Sequence, residues 1–307
     1  MQRNAIAGHA LKRGRVWVPM RDGCAFFFLL VALPYAARAD WTVGGEASLR
    51  HDNNVGNAES RSDIVEDTTI GARLSIFQLL PLGENYSVTM AGDLRGESFQ
   101  RITGLNNASL DAVLALKKKW GLGAFAPWAR AGLSVARQDY DDSYRNAWVS
   151  RATLASGRRL DERWNLWAEY AFERRAASPQ EEQAPGLSGD AFSQDGHSLA
   201  VNVEYAVNGR TFLALGLLGR HGDVVSTTAA SDKVFSAARA LAEDPAFGGE
   251  SYAYKLTGTT FGFRAGVNFA PTAHSALGCG FLRLDTRADG GNTYTKSVPE
   301  ITWDYRF

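Results

Sequence analysis

From Trp41 onward, apolar and polar side chains alternate with a period of two in blocks of about ten residues. Trp41, Val43, Ala47 and Leu49 alternate with Thr42, Glu46, Ser48 and Arg50. Ile70, Ala72, Leu74 and Ile76 alternate with Thr69, Arg73 and Ser75, and Tyr86, Val88, Met90 and Leu94 with Ser87, Thr89, Asp93 and Arg95. Successive side chains of a strand point to opposite faces, so each block reads as a strand with one greasy and one polar face. Blocks near 41–50, 69–76, 86–95, 108–118, 128–137, 148–158, 164–173, 197–207, 211–221, 252–270, 276–286 and 294–307 predict twelve strands. The most apolar run, Phe212 to Gly219, is far too short for a membrane-spanning helix.

The connections sort into two kinds. Links near Pro81–Asn85, Gly121–Ala126, Asp161–Arg163, Asn208-Gly209 and Pro271–Ser275 are short, and Asn-Gly is the strongest tight-hairpin dipeptide in the chain. The alternate links, 52–62, 100–107, 138–146, 174–195, 222–250 and 288–293, are generally longer and polar. Within 222–250, Ser231-Asp232 followed by Val234, Phe235, Ala238, Leu241 and Ala242 predicts a short capped amphipathic helix. Such a helix would serve either as a lid or constriction at a mouth, or as a loop packed outside.

Aromatic residues fall at strand ends: Trp41, Tyr86, Trp120, Trp128, Trp164, Tyr205, Phe212, Phe269 and Phe307 beside the short turns, and Phe99, Tyr140, Trp148, Phe172, Tyr252 and Tyr294 opposite. Two such belts are what rings seeking both membrane interfaces produce. The chain ends Glu300-Ile301-Thr302-Trp303-Asp304-Tyr305-Arg306-Phe307, with four apolar residues on one face and four polar ones on the other. This ending resembles that of bacterial outer-membrane β-barrel proteins, in which a terminal phenylalanine and the alternating aromatics before it are read by the barrel assembly machinery. The resemblance implies an all-β, transmembrane, antiparallel up-and-down barrel of about twelve strands, with short periplasmic turns and long extracellular loops. Trp303, Tyr305 and Phe307 would form the assembly signal, and outer-membrane lipid and lipopolysaccharide would surround the wall. The Asp52-Asn53-Asn54-Val55 run is similar to the start of the barrel domain of surface lipoprotein assembly modifiers, although the helical repeats of that family are missing here.

The N-terminus fits export. Lys12, Arg13, Arg15 and Arg21 make a basic region, Cys24 to Leu33 an apolar one, and Ala37-Arg38-Ala39 a cleavage site, so residues 1–39 read as a signal peptide and 40–307 as the barrel. Met20 is an alternative start. Removing residues 1–39 takes six Lys/Arg and one Asp from 33 and 33, leaving 27 basic against 32 acidic residues. That balance argues against nucleic acid, which requires a basic face. Only Cys279 remains after processing, so neither an intramolecular disulfide nor a cysteine metal site is expected.

Closing the sheet removes its edges and turns the polar faces into a lumen. Glu46, Arg50, Arg73, Asp93, Arg95, Asp111, Lys117, Arg130, Arg151, Glu169, Glu173, Asn202 and Glu204 would line it, both signs interspersed. Asp52-Asn53-Asn54 and Asp139, Asp141, Asp142 offer oxygen donors but match no calcium-loop pattern and read as turns. Catalysis has only one candidate pair, His221 and Asp223. His197 is followed directly by Ser198, on the opposite strand face, unlike the His-x-Ser of outer-membrane phospholipase A. The leading expectation is a small channel for hydrophilic solutes, without cofactor or metal. The alternatives are a plugged barrel that anchors surface loops for adhesion, assembly or export, and a lipid- or peptide-hydrolysing barrel enzyme.

Overall fold

The computed structural model describes residues 41–307; the signal segment read from the sequence lies outside them. The strands are β1 Thr42–Asp52, β2 Asp67–Leu82, β3 Tyr86–Phe99, β4 Asn107–Lys119, β5 Trp128–Tyr140, β6 Ala147–Arg159 and β7 Trp164–Ala177. They continue with β8 Gln194–Ala206, β9 Thr211–Thr228, β10 Ala240–Glu243, β11 Tyr252–Phe269, β12 Ser275–Ala288 and β13 Asn292–Arg306. Apart from β10, which pairs only with β11, each strand pairs antiparallel with its neighbours in the chain, and the β9–β11 and β1–β13 pairings close a ring. The barrel therefore has twelve strands, with β10 outside the ring.

Short turns gather at one end. At the tightest, Asn208 Oδ1 accepts from the Arg210 and Thr211 amides, both at 2.9 Å, holding the chain while Val207 N–H donates to the Thr211 carbonyl. Asp161 does the same for Arg163 and Trp164, at 2.7 Å each, and those donors hold its carboxyl below its ordinary value. Pro81, expected in a turn, lies within β2 near its end.

The apolar faces point away from the ring. Leu217 and Phe261 are each 68% exposed, Ile70 and Leu133 each 64%, and comparable residues recur on every strand of the wall. A monomer in water rarely exposes such a contiguous apolar surface, whereas lipid requires it. Trp164 packs against Tyr205 with the ring centres 4.7 Å apart at the short-turn end, and Trp148 lies under Arg137 near the other, within the two belts. Some aromatics expected in those belts face inward instead. Trp128 carries Lys117 on its ring, and Tyr294 is 3% exposed within a cluster at the long-loop end.

One difference from the sequence reading concerns the long-loop end. The helix over 222–250 is shorter than expected: α1 spans Asp232–Ala237, with Ser231 as its N-cap, and Leu241 and Ala242 sit in β10 instead. The competing influence is a free strand edge. β12 leaves β11 at Gly258↔Ala288, and β10 takes the vacated edge, from Ala240↔Lys255 to Glu243↔Tyr252. Pro299 lies inside β13, opposite Phe281 in mid-wall. The β1–β13 ladder stops at Arg50↔Glu300, one residue short of Pro299, which has no N–H to give.

Candidate functional site: a charged lumen under a folded cap

On the face opposite the exposed leucines, the alternation puts Glu46, Arg50, Arg73, Asp93, Arg95, Asp111, Lys117, Arg130, Glu169, Glu173 and Glu204 together, along with Arg151 and Asn202. Their ion pairs form two ladders. In the first, Arg73 holds Asp93 at 2.8 Å and Glu46 at 3.9 Å, while Arg95 reaches Asp93 and Asp111 at 3.8 and 3.6 Å. Arg50 adds Glu97 at 2.9 Å. In the second, Glu169 takes Arg130 at 3.2 Å and Arg151 at 3.4 Å, and Arg151 reaches Glu173 at 3.6 Å. Every one of these pairs joins strands no more than two apart, so among the described residues the charges brace the wall and do not bridge the lumen. A cavity of about 480 Å³ lies at the short-turn end, lined by Glu46, Arg73, Asp93, His274, Asp304 and Arg306 among others.

The wall from β9 to β12 is different. Gly216, Gly262, Gly266, Gly278 and Gly280 face inward there, and a Cβ on Gly262 would lie 2.6 Å from Leu284 Cδ2. Arg264 shares this face, and among the described residues it has no ion-pair partner within 4.0 Å.

The long-loop end is covered. Above Gly222 and Gly258 the β9–β11 hairpin continues with β10 alongside and packs an apolar cluster of Val224, Val234, Leu241, Tyr254, Leu256 and Tyr294. On the other side, Ala240, Ala242 and Ala253 meet Ala191 and Phe192 from the β7–β8 loop. Asp244, fully buried, meets the Arg145 guanidinium from the β5–β6 loop and accepts from Thr227 Oγ1 at 2.6 Å. Arg145 itself stands over the rings of Phe192 and Phe247, at 4.6 and 5.6 Å. Gly104, on the β3–β4 loop, touches Ala246 so closely that a Cβ there would lie 2.7 Å from its Cα. The β3–β4 and β9–β11 connections are six places apart in a ring of twelve, so this contact spans the mouth. The β1–β2 loop crosses as well: Thr227 N–H donates to the Gly56 carbonyl at 2.7 Å and Asn57 Nδ2 to the Val225 carbonyl at 2.9 Å.

No protein-family model matches the chain, and no curated protein matches it. Among solved structures, the COG4313 outer membrane channel from Pseudomonas putida F1 aligns over 87% of this chain and 95% of its own, at 13% identity and a TM-score of 0.56. The NanC porin aligns over 85% of this chain and 100% of its own, at 11% identity and TM-score 0.46. The KdgM porin in complex with disordered oligogalacturonate aligns over 85% and 99%, at 10% identity and TM-score 0.44. This is the fold of a bacterial outer-membrane β-barrel.

On that barrel the catalytic candidates separate. His221 Nδ1 is 3.0 Å from Thr259 Oγ1, while Asp223 accepts from the Asp195 amide at 3.0 Å and pairs with Arg239. The structure does not hydrogen-bond His221 to Asp223, and both lie on the outer face. The carboxylate and amide clusters are engaged too. Asp52 pairs with Lys296 at 3.0 Å, and Asn53 and Asn54 bond the Ser297 amide and Thr295 carbonyl beyond the end of the β1–β13 ladder. Asp139 pairs with Arg137 at 2.7 Å, and Asp141 accepts from Asn106 at 3.0 Å. Asp142 caps the next turn through Tyr144 N–H, and burial pushes its carboxyl above the ordinary value. Among the described residues no group of three or more His, Cys, Asp or Glu could hold a metal.

The sequence reading missed Arg145, Asp244, Gly104 and Arg264. The first three act through contacts between loops far apart in the chain, for which local pattern gives no signal. Arg264 was legible, since it sits between Phe263 and Ala265 in an alternating strand.

Proposed function

We propose that this chain is an outer-membrane channel for small hydrophilic solutes in a Gram-negative bacterium. The observation that carries the reading is the arrangement of the lumen charges. Ion pairs that brace neighbouring strands leave a polar interior unbridged, whereas a plug would tie opposite walls together. The cavity at the short-turn end supports a water-filled vestibule, placed on the periplasmic side. The likeness to a COG4313 channel, shared at the level of fold, fits this role. Trp303, Tyr305 and Phe307 would serve as the signal for assembly, and the exposed apolar belt would sit in lipid and lipopolysaccharide. The cap favours one second reading, a barrel that displays its ordered loops to a surface partner.

The test is conductance in planar bilayers of the refolded chain 40–307. A channel gives discrete steps, and Arg264→Glu shifts the reversal potential toward cation preference, because it replaces a lumen cation with an anion. A chain that stays silent even when the cap is removed would overturn the reading in favour of surface display.

A further inference from the structure

Gly222 and Gly258 are paired across β9 and β11, and they mark the same level of the wall on both sides. The β8–β9 ladder ends at Gly196↔Gly222, and the β11–β12 ladder ends at Gly258↔Ala288. Beyond this glycine step the hairpin has no partner in the ring, only β10 and the loops. Gly222 has φ +147°, a conformation that side chains rarely adopt, and a Cβ there would lie 2.3 Å from the Asp195 carbonyl oxygen. The barrel thus carries a flap, residues 223–257, joined to it by two strands at adjacent glycines.

The flap holds its own shape. Val224, Val234, Leu241, Tyr254 and Leu256 all belong to it; the buried Tyr294 and the partly buried Ala184 and Ala288 pack against them from outside the flap. Its contacts with the far rim are largely polar: Arg145 with Asp244, Gly104 against Ala246, Gly56 and Asn57 with β9, and Lys233 with Glu59, while Ala240, Ala242 and Ala253 pack on Ala191 and Phe192 of the β7–β8 loop. The central one is an ion pair with one member from each side of the mouth. Removing two charges from water offsets most of their attraction, so a buried pair fixes geometry more than it stabilises. Lifting the flap returns both charges to water and leaves the flap's apolar cluster largely intact. The β7–β8 loop, packed on the flap through Ala191 and Phe192 and bonded to Lys255 through the Ser193 carbonyl at 3.0 Å, moves with it, so the closed and open arrangements differ mainly at the far rim, as a two-state element requires.

We propose that the flap 223–257 is a gate over the lumen, hinged at the Gly222–Gly258 pair and latched by Arg145 against Asp244; this rests on the channel reading. Loss of the latch favours the open state, and a covalent tie across the mouth abolishes opening.

Three variants of the refolded chain 40–307 test this in bilayers, each first shown to fold by its heat-modifiable migration on gels. Arg145→Gln is expected to raise the open fraction about tenfold, equivalent to about 1.4 kcal/mol. Glu59→Cys with Lys233→Cys, in a Cys279→Ser background, is expected to silence the channel when joined by a bis-maleimide with a reducible spacer and to restore it when the spacer is reduced. A barrel in which a short Gly-Ser link replaces 226–252 is expected to stay open. If that truncated barrel conducts while Arg145→Gln and the cross-linked pair behave like the parent chain, the gate is wrong and the channel stands. If the truncated barrel is silent, the channel reading falls and the gate with it.

Discussion

At the scale of single residues, the long-loop end is held by side chains that replace backbone ladders. Asp67 is 1% exposed, and its carboxylate accepts from the amides of Thr68, Gln100, Arg101 and Ile102 at 2.7 to 3.1 Å, tying β2 to the turn after β3. Asp67→Ala strips the Arg101 and Ile102 amides of their acceptor, at an expected cost of about 2–4 kcal/mol in urea unfolding in lipid vesicles. Asp67→Asn, which keeps one acceptor oxygen, costs less; a loss below about 0.5 kcal/mol for the alanine variant would contradict this role. Glu59 gives a pH-dependent contact. Lys233 hydrogen-bonds its carboxylate and lowers its pKa below the ordinary 4.5, so the stabilisation is fully present above 4.5 and is lost as pH falls through the folded value. Amide exchange at Val234 and Phe235 in α1 is expected to quicken below that pH, and Glu59→Gln to remove the pH dependence. Unchanged protection of α1 through acid pH would rule out the tether. Neither residue was legible beforehand: Asp67 begins a polar triplet, Asp-Thr-Thr, and Glu59 lies in a serine-rich loop, where an acid is ordinary.

At the scale of elements, period-two alternation gave the twelve wall strands because lipid and lumen impose opposite demands on alternate residues. Where both faces of a strand are covered by protein, that signal fails. β10 is Ala-Leu-Ala-Glu, and the upper parts of β9 and β11 read Val-Val-Ser-Thr-Thr and Tyr-Ala-Tyr-Lys-Leu, with apolar residues on both faces. A helix of period 3.6 and a short buried strand look alike over so few residues, so Leu241 and Ala242 fit the expected helix as well as they fit β10. Contact between loops is equally invisible to local pattern. Gly104→Val puts a branched side chain where Ala246 already lies and should loosen the cap without unfolding the wall. Limited proteolysis is expected to cut within 229–251 about tenfold faster in this variant, equivalent to about 1.4 kcal/mol of opening. Cleavage at the parent rate would show that the loop does not depend on this contact.

At the scale of the whole molecule, the chain is inverted relative to a water-soluble domain: leucines and phenylalanines outside, charges within. That inversion was readable from the sequence, because a strand with one greasy face and a mixed-charge other face has few stable uses apart from a closed barrel in lipid. The state of the lumen was not readable, since which carboxylate each arginine takes depends on strand register and shear. Pairing along the wall, as in Arg73–Asp93 and Arg151–Glu173, leaves the interior unbridged, and the long-range closure sits instead at the capped mouth. Single-channel recording of refolded 40–307, with and without the segment 226–252, is the most direct measurement of this arrangement. A conducting lumen beneath a removable cap gives discrete steps in the truncated barrel, with rarer openings in the full chain. No conductance from either form would mean that the lumen is occluded below the cap and that the protein is not a channel.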